Sequence, residues 1–292
     1  MNDSSTSAAV ASSDAFVFVQ SLAAELSNGK VELPSFPDVA VRVRKVLADE
    51  KTTVEQVVRV VGSEPALAGR LLKMANSAAF NRSGKSVTDL RTAINRMGYN
   101  MVRSAAMSFA MAQIRASESL KGIEPWLEDL WKQSTHVAAV AYVLAKRYTS
   151  RNADEALLTG LLHGVGKLYI LTRTVQHPAL FHDQSSLHAL LRDWHASIGK
   201  AILENWDLPE EVCSAVNDHE DIAREHDGPA DLTDLVTVAV MMAAYADHAE
   251  DLELNMQGIK AFHALGLDGA KSQLVMKEMA DEIDALRQAL GS

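Results

Sequence analysis

Apolar residues recur at spacings of three and four along almost the whole chain, and this periodicity constrains the fold more than any other feature. The first such stripe consists of Phe16, Val19, Leu22, Ala23 and Leu26. No segment alternates apolar and polar residues in the manner of a half-buried strand. Hydrophobic residues make up 48% of the 292 positions and charged residues 23%, which is sufficient for a large folded core. We therefore predict an all-α protein whose helices each bury one face.

A looser segment from Arg115 to Pro125 divides the predicted helices into two groups. It contains Gly122 as well as Pro125, and both residue types interrupt helices. We expect two packed helical lobes, an N-terminal one over residues 14–120 and a C-terminal one over residues 121–292. The Ser- and Ala-rich residues 1–13 precede them and are expected to be disordered.

Glycines and capping residues predict several helix boundaries. Thr52 and Glu55 have the spacing of a capping box, in which each side chain accepts from a backbone amide at the helix start. Gly98 predicts a sharp bend between two helices. The apolar pattern also predicts uninterrupted helices over residues 154–171 and 271–290.

Charge and cysteine content exclude several classes of protein. The net charge of −10 disfavours nucleic acid as a partner, because such binding depends on clustered Lys and Arg. The single cysteine, Cys213, allows no internal disulfide and no Cys-rich zinc site. The longest apolar stretch, Leu235 to Ala246, is shorter than the roughly 20 residues of a membrane-spanning helix. We expect a cytoplasmic protein with no membrane partner.

Several segments of the second lobe share a pattern that helix packing alone does not require. They are Trp131-Lys132-Gln133-Ser134, Gly160-Leu161-Leu162-His163-Gly164-Val165-Gly166-Lys167, His195-Ala196-Ser197-Ile198-Gly199, Trp206-Asp207-Leu208-Pro209 and Asp218-His219. The three histidines of this set, together with Asp218, are residue types that bind divalent metals.

The order and spacing of these segments resemble the HDOD family, a branch of the HD superfamily of metal-dependent phosphohydrolases. The first lobe agrees through Leu33-Pro34, Glu64-Pro65-Ala66-Leu67, Leu71-Leu72 and Ala75-Asn76-Ser77. The resemblance covers roughly residues 30 to 230. It implies that the second lobe is HD-like and that the chain is a stand-alone bacterial HDOD protein, with no attached receiver, cyclase or kinase domain.

The departures from the family's metal site are extensive. A working HD enzyme needs a His-Asp pair and further His and Asp ligands around an open water position. Gly164 stands where the paired aspartate would be, and the resemblance places Gln133 and Val240 at two further ligand positions. The residues that remain for a vestigial metal site are His163, His195, His219 and Asp218.

Three functions remain open at this stage. The leading hypothesis is a non-catalytic signalling protein that regulates other proteins in a second-messenger or two-component pathway and needs no cofactor. The second is a weak metal-dependent phosphohydrolase, holding one Zn, Fe or Mn ion at low occupancy through the vestigial site. The third is a sensor that binds a cyclic dinucleotide. Alternatively, the histidines are hydrogen-bonded core residues with no ligand.

The segment from residue 70 to residue 103 is strongly basic and has a single acid, Asp89. Its basic residues are Arg70, Lys73, Arg82, Lys85, Arg91, Arg96 and Arg103. Three interpretations are open: a solvated helical face, a docking surface for an acidic signalling protein, and a site for a phosphate-bearing ligand such as a cyclic dinucleotide.

Overall fold

A computed structural model describes residues 17–25, 28, 33, 37–49, 51–81, 84–177, 180, 183–246 and 248–291. Residues 1–13, expected to be disordered, and Arg82 lie outside this part. The described residues form helices and connecting turns with no strand, which confirms the all-α prediction. None of the helices described is both long and apolar enough to cross a membrane.

The helices follow one another along the chain. They are α1 (17–25), α2 (Asp38–Ala48), α3 (Val54–Gly62), α4 (Pro65–Asn76), α5 (Leu90–Arg115), α6 (Glu124–Tyr148), α7 (Ala153–Leu162), α8 (Val165–Thr174), α9 (Gln184–Asn205), α10 (Glu210–Asp218), α11 (Leu232–Ala244), α12 (Ala249–Asn255), α13 (Lys260–Ala264), α14 (Gly269–Glu278) and α15 (Ala280–Leu290). A single 3₁₀ turn, Glu118–Leu120, lies between α5 and α6.

Several boundaries differ from the sequence-based expectation. The capping box lies one residue later than predicted: Gln56 N donates to Thr53 Oγ1 (3.4 Å) and Thr53 N donates to Gln56 Oε1 (2.7 Å). The continuous helix predicted over residues 154–171 is wrong, because the chain turns between α7 and α8. The helix predicted over residues 271–290 is likewise divided into α14 and α15. The bend at Gly98 is confirmed by its φ of 76° within α5.

Two helices organise the two lobes. In the first lobe α2, α3 and α4 pack on α5, and in the second lobe α7, α11 and α15 pack on α6. Helix α5 also packs on α7, so the buried apolar side chains form one continuous cluster. Helices α8, α9 and α10 complete the second lobe, with α9 between the other two.

The end of α15 is held by the first lobe. Arg70 on α4 donates to the carbonyl oxygen of Leu290, and Ser108 on α5 donates to the same oxygen at 2.6 Å. Trp131 on α6 donates from Nε1 to the Gly291 carbonyl at 3.3 Å. These hydrogen bonds join residues far apart in the sequence and attach the last helix to both lobes.

Glycines permit two close helix contacts in the second lobe. A Cβ atom on Gly166 would lie 1.9 Å from the His195 carbonyl oxygen and 2.8 Å from the Gly199 amide nitrogen. A Cβ atom on Gly160 would lie 2.8 Å from the Cα of Ala138. Since these obstructing atoms belong to the backbone, no rotamer change could relieve the overlap. The approach of α8 to α9 and of α7 to α6 therefore requires glycine.

We predict that Gly166→Ala lowers the free energy of unfolding by about 3 kcal/mol or more, because the added methyl forces α8 away from α9. The matched control is Gly69→Ala in α4, where a Cβ meets nothing within 4 Å. That exposed helical substitution should raise stability by roughly 0.5–1 kcal/mol. Urea unfolding followed by circular dichroism measures both, and equal midpoints for Gly166→Ala and the wild type would contradict the assignment.

Candidate functional site

The structure brings His163, His195 and His219 together in the interior of the second lobe. His163 follows α7, His195 lies within α9 and His219 follows α10. The ring centroid of His219 is 5.5 Å from that of His163 and 5.4 Å from that of His195. All three side chains are buried. We call this group the histidine cluster.

Hydrogen bonds to the backbone fix the tautomer of two of the rings. His163 Nδ1 lies 2.7 Å from the Gly160 carbonyl oxygen, and His219 Nδ1 lies 2.8 Å from the Val216 carbonyl oxygen. Because a carbonyl only accepts, each Nδ1 carries the proton. The Nε2 atom of each neutral ring then has a free lone pair. Both Nε2 atoms are buried and have no hydrogen-bond partner in the described part of the chain.

Glu220 adds a carboxylate to the histidine cluster. Its Oε1 lies 3.3 Å from His195 Nε2, 3.9 Å from His219 Nε2 and 3.7 Å from Lys167 Nζ. One ligand atom from each of His195, His219 and Glu220 falls within 4.8 Å of the others. Glu220 is not among the site residues predicted from the sequence, although it directly follows His219.

Burial and charge set the protonation states here. Desolvation, reinforced by His195, lowers the pKa of His219 to about 4, and desolvation also lowers the pKa of His163 well below its usual value. Burial acts to raise the pKa of Glu220, but contacts with His195 and Lys167 outweigh it and lower that pKa to about 2. Near neutral pH, His163 and His219 are therefore neutral and Glu220 is ionised.

The space beside Gly164 is filled by α6. A Cβ atom on Gly164 would lie 2.9 Å from Leu130 Cδ1 and 3.1 Å from Ser134 Oγ. The Ser134 hydroxyl is itself buried without a hydrogen-bond partner among the described residues. A side chain at position 164 would therefore require the ends of Leu130 and Ser134 to shift.

A sequence model of the HDOD domain matches residues 33–222. The chain belongs to the HDOD domain family. The matched span confirms the resemblance seen in the sequence motifs. It includes the whole histidine cluster and ends before α11.

Solved structures of similar proteins support the same fold. A protein of Shewanella amazonensis SB2B named "Putative metal-dependent phosphohydrolase" is 26% identical, with a TM-score of 0.74 over 95% of this chain and 99% of that one. A "Putative signal transduction protein" of Marinobacter aquaeolei VT8 is 25% identical, with a TM-score of 0.58 over 90% of this chain and 61% of that one. An HDOD domain protein with unknown function from Geobacter sulfurreducens is 22% identical, with a TM-score of 0.64 over 92% of this chain and 96% of that one.

A curated relative from Treponema pallidum (strain Nichols), an uncharacterized protein, is 24% identical over 243 residues. The match covers 77% of this chain but only 45% of the relative. The chain thus spans less than half the length of that protein.

The remaining HD ligand positions lie outside the ligand group of the histidine cluster. Asp218 accepts a hydrogen bond from Asn217 Nδ2 at 2.6 Å, and Glu220 rather than Asp218 supplies the carboxylate near His195. Gln133 and Val240 are both half-buried. Val240 has no side-chain atom that could bind a metal ion.

The basic segment does not act as one surface. Arg103 donates to the Leu47 carbonyl oxygen and to Asn100 Oδ1 (2.8 Å), so, like Arg70, it joins helices. Burial lowers the pKa of both arginines. The exposed members described are Lys73, Lys85, Arg91 and Arg96. Of these, Arg91 pairs with Glu55, and Arg96 donates to Asn81 Oδ1 at 2.9 Å.

A second polar cluster fixes the connection between α10 and α11. His226 Nε2 lies 2.7 Å from Asp234 Oδ2, and Arg224 pairs with Asp231 and Asp234. Asp231 and Asp234 also form the capping box of α11. Because these carboxylates already hold an arginine and a histidine, we interpret this cluster as a structural one that holds the connection against α11.

Acidification is expected to destabilise the fold through His219. Its pKa is about 4 in the folded protein against 6.5 for the free side chain, so the unfolded chain takes up the proton first as the pH falls. The stability contributed by the neutral ring is complete above pH 6.5 and is lost between pH 6.5 and 4. The loss should reach about 3 kcal/mol.

Urea unfolding of chelator-treated protein between about pH 7 and about pH 4 measures this effect. His219→Asn should show a shallower pH dependence than the wild type, whereas His263→Asn, which replaces an exposed histidine, should not differ. NMR provides an independent readout, since the His219 ring should not titrate until the pH approaches 4. A ring that titrates near pH 6.5 would show that the assignment is wrong.

Proposed function

We propose that this HDOD protein is a non-catalytic regulatory protein that acts by binding other proteins. The observation that carries the proposal is the packing of Leu130 and Ser134 against Gly164, where a working HD site needs its paired carboxylate. That carboxylate normally holds the metal ion that activates water and stabilises charge on phosphate. Here the ligand is missing, and the ends of two side chains occupy its place.

The losses elsewhere in the site support the same conclusion. Even the removal of a residue that only orients a metal ligand typically costs about 10- to 100-fold in affinity or activity. In this chain Gln133 and Val240 replace two further ligands, so the deficits accumulate. The retained histidines make contacts that stabilise the helical core, which a purely regulatory protein would also need.

Relatives point to the setting in which such a protein would act. The Marinobacter protein, named as a signal transduction protein, shares the fold over 90% of this chain at 25% identity. We extend that role to this chain, with signalling proteins of a second-messenger or two-component pathway as partners. The proposal requires no cofactor.

We expect no hydrolysis of cyclic dinucleotides or of p-nitrophenyl phosphate above the protein-free rate, with Mn²⁺, Fe²⁺ or Zn²⁺ added. Gly164→Asp should remain inactive, because the restored carboxylate must compete with Leu130 and Ser134 for space. Product formation followed by chromatography makes the measurement. Turnover by the wild type that His163→Ala abolishes would refute the proposal.

A second candidate function is that of a weak phosphohydrolase that holds a single metal ion, as the HD superfamily implies. The donor set fits such an ion in part, since the buried lone pairs of His163 and His219 lack partners and Glu220 lies beside His195. Imidazole and carboxylate ligands suit Zn, Fe or Mn. His195, His219 and Glu220 would hold the ion, which would supply a bound water of lowered pKa.

This second candidate predicts a divalent ion, at less than one per chain, in protein purified without chelator, measured by elemental analysis. Glu220→Gln should weaken Co²⁺ binding, followed by absorbance, by about 10-fold or more. The matched control Asp218→Asn should leave Co²⁺ binding unchanged, because that carboxylate is bonded to Asn217. Folded, metal-free protein that takes up no Co²⁺ would exclude this candidate.

A further inference from the structure

The helices beyond the matched HDOD span border two adjoining surface pockets. The first, of about 620 Å³, is lined by Glu225, Asp227 and Lys260 among others. The second, of about 470 Å³, is lined by Glu253 and residues of α13 and of the turns on either side of it. His263 on α13 lines both pockets, so they adjoin at this residue. We call the two pockets together the C-terminal groove.

Apolar residues line the second pocket of the C-terminal groove, and exposed leucines lie on the two helices that flank it. Phe262 and Leu267 are buried side chains that line the second pocket. Leu254 on α12 is 69% exposed and Leu274 on α14 is 50% exposed. These are two of the few large apolar side chains exposed in the described part of the chain, and α12 and α14 pack against each other beside the groove. Grouped exposed apolar residues commonly mark interaction sites.

The rim of the C-terminal groove is acidic. The seven residues of α12, AEDLELN, include three acids and no base. Asp227 and Glu253 have no ion pair with any described residue. Glu225 and Asp268 do pair, with Lys260 (3.7 Å) and Lys271 (3.8 Å), but all four of these side chains are largely exposed, so the pairs are weak.

We propose that the C-terminal groove docks a basic, leucine-bearing segment of a partner protein. The acidic rim attracts lysine and arginine, while the uncovered leucines and the apolar lining accept aliphatic side chains. The same rim repels nucleic acid, free phosphates and anionic lipids. The inference rests on the proposed function, in that it names the surface through which a regulatory protein would act.

The test uses the full chain and a defined probe. The probe is a fluorescein-labelled amphipathic peptide of lysine and leucine residues, and its binding is followed by fluorescence anisotropy at physiological salt. We expect saturable binding by the wild type. Glu253→Lys should raise the dissociation constant at least about fivefold, and Leu254→Ser should raise it by a similar factor.

Matched controls separate docking from general charge attraction. Glu118→Lys changes the net charge equally at an exposed residue that lines neither pocket. It should leave binding within about twofold of the wild type. A peptide with serine in place of leucine should bind more weakly, and a glutamate-leucine peptide should not bind. Thermal unfolding of each variant verifies that it is folded, as expected for substitutions of exposed side chains.

Two results would overturn the inference. Equal weakening by Glu118→Lys and Glu253→Lys would mean that net charge alone attracts the peptide. A wild-type dimer in sedimentation velocity that Leu254→Ser converts to monomer would mean that a second copy of the chain covers the groove. Both are independent of the hydrolysis assay: detectable turnover refutes the non-catalytic proposal, whereas loss of peptide binding alone refutes only the docking site.

Discussion

The contact between Gly166 and the backbone of α9 determines where the histidine cluster forms. With no side chain at residue 166, the start of α8 lies against the His195 carbonyl, which places His195 beside the turn that carries His163. Gly160 similarly lets α7 approach α6, and His163, which directly follows α7, is buried in the core. The geometry of the site thus follows from two backbone contacts that only glycine permits, and the side chains occupy positions these contacts create.

His163 and His219 share one local arrangement. Each follows the last residue of a helix and uses Nδ1 to satisfy the carbonyl three residues earlier, one of the groups that a helix end leaves unpaired. The hydrogen bond orients Nε2 toward the centre of the histidine cluster, and desolvation keeps the ring neutral. A structural role as helix caps and a lone pair suited to a metal ion therefore coexist in the same side chain. Retention of these histidines is compatible with either use.

Sequence reasoning succeeded where a residue type has one dominant physical effect. The helical periodicity predicted the fold class, and Gly98 predicted the bend in α5. The resemblance to the HDOD family singled out three histidines, which the structure brings together. Sequence reasoning failed where contacts between distant segments determine the structure. The division between α7 and α8, the packing of Leu130 over Gly164 and the use of Arg70 to hold Leu290 each depend on segments distant in the chain. Glu220 was missed because the motif directed attention to Asp218.

The connection from Glu220 to Asp231 is the segment of the chain that links the histidine cluster to the C-terminal groove. At its start Glu220 contacts the histidine cluster and Lys167, and at its end Arg224 and His226 bind the carboxylates that cap α11. Glu225 and Asp227, between and beside these anchors, line the C-terminal groove. A segment held by ion pairs at both ends has little freedom to move independently of them. Ion pairs of Glu220 with the histidine cluster and Lys167, and of Arg224 and His226 with the carboxylates of α11, therefore hold this wall of the C-terminal groove in place.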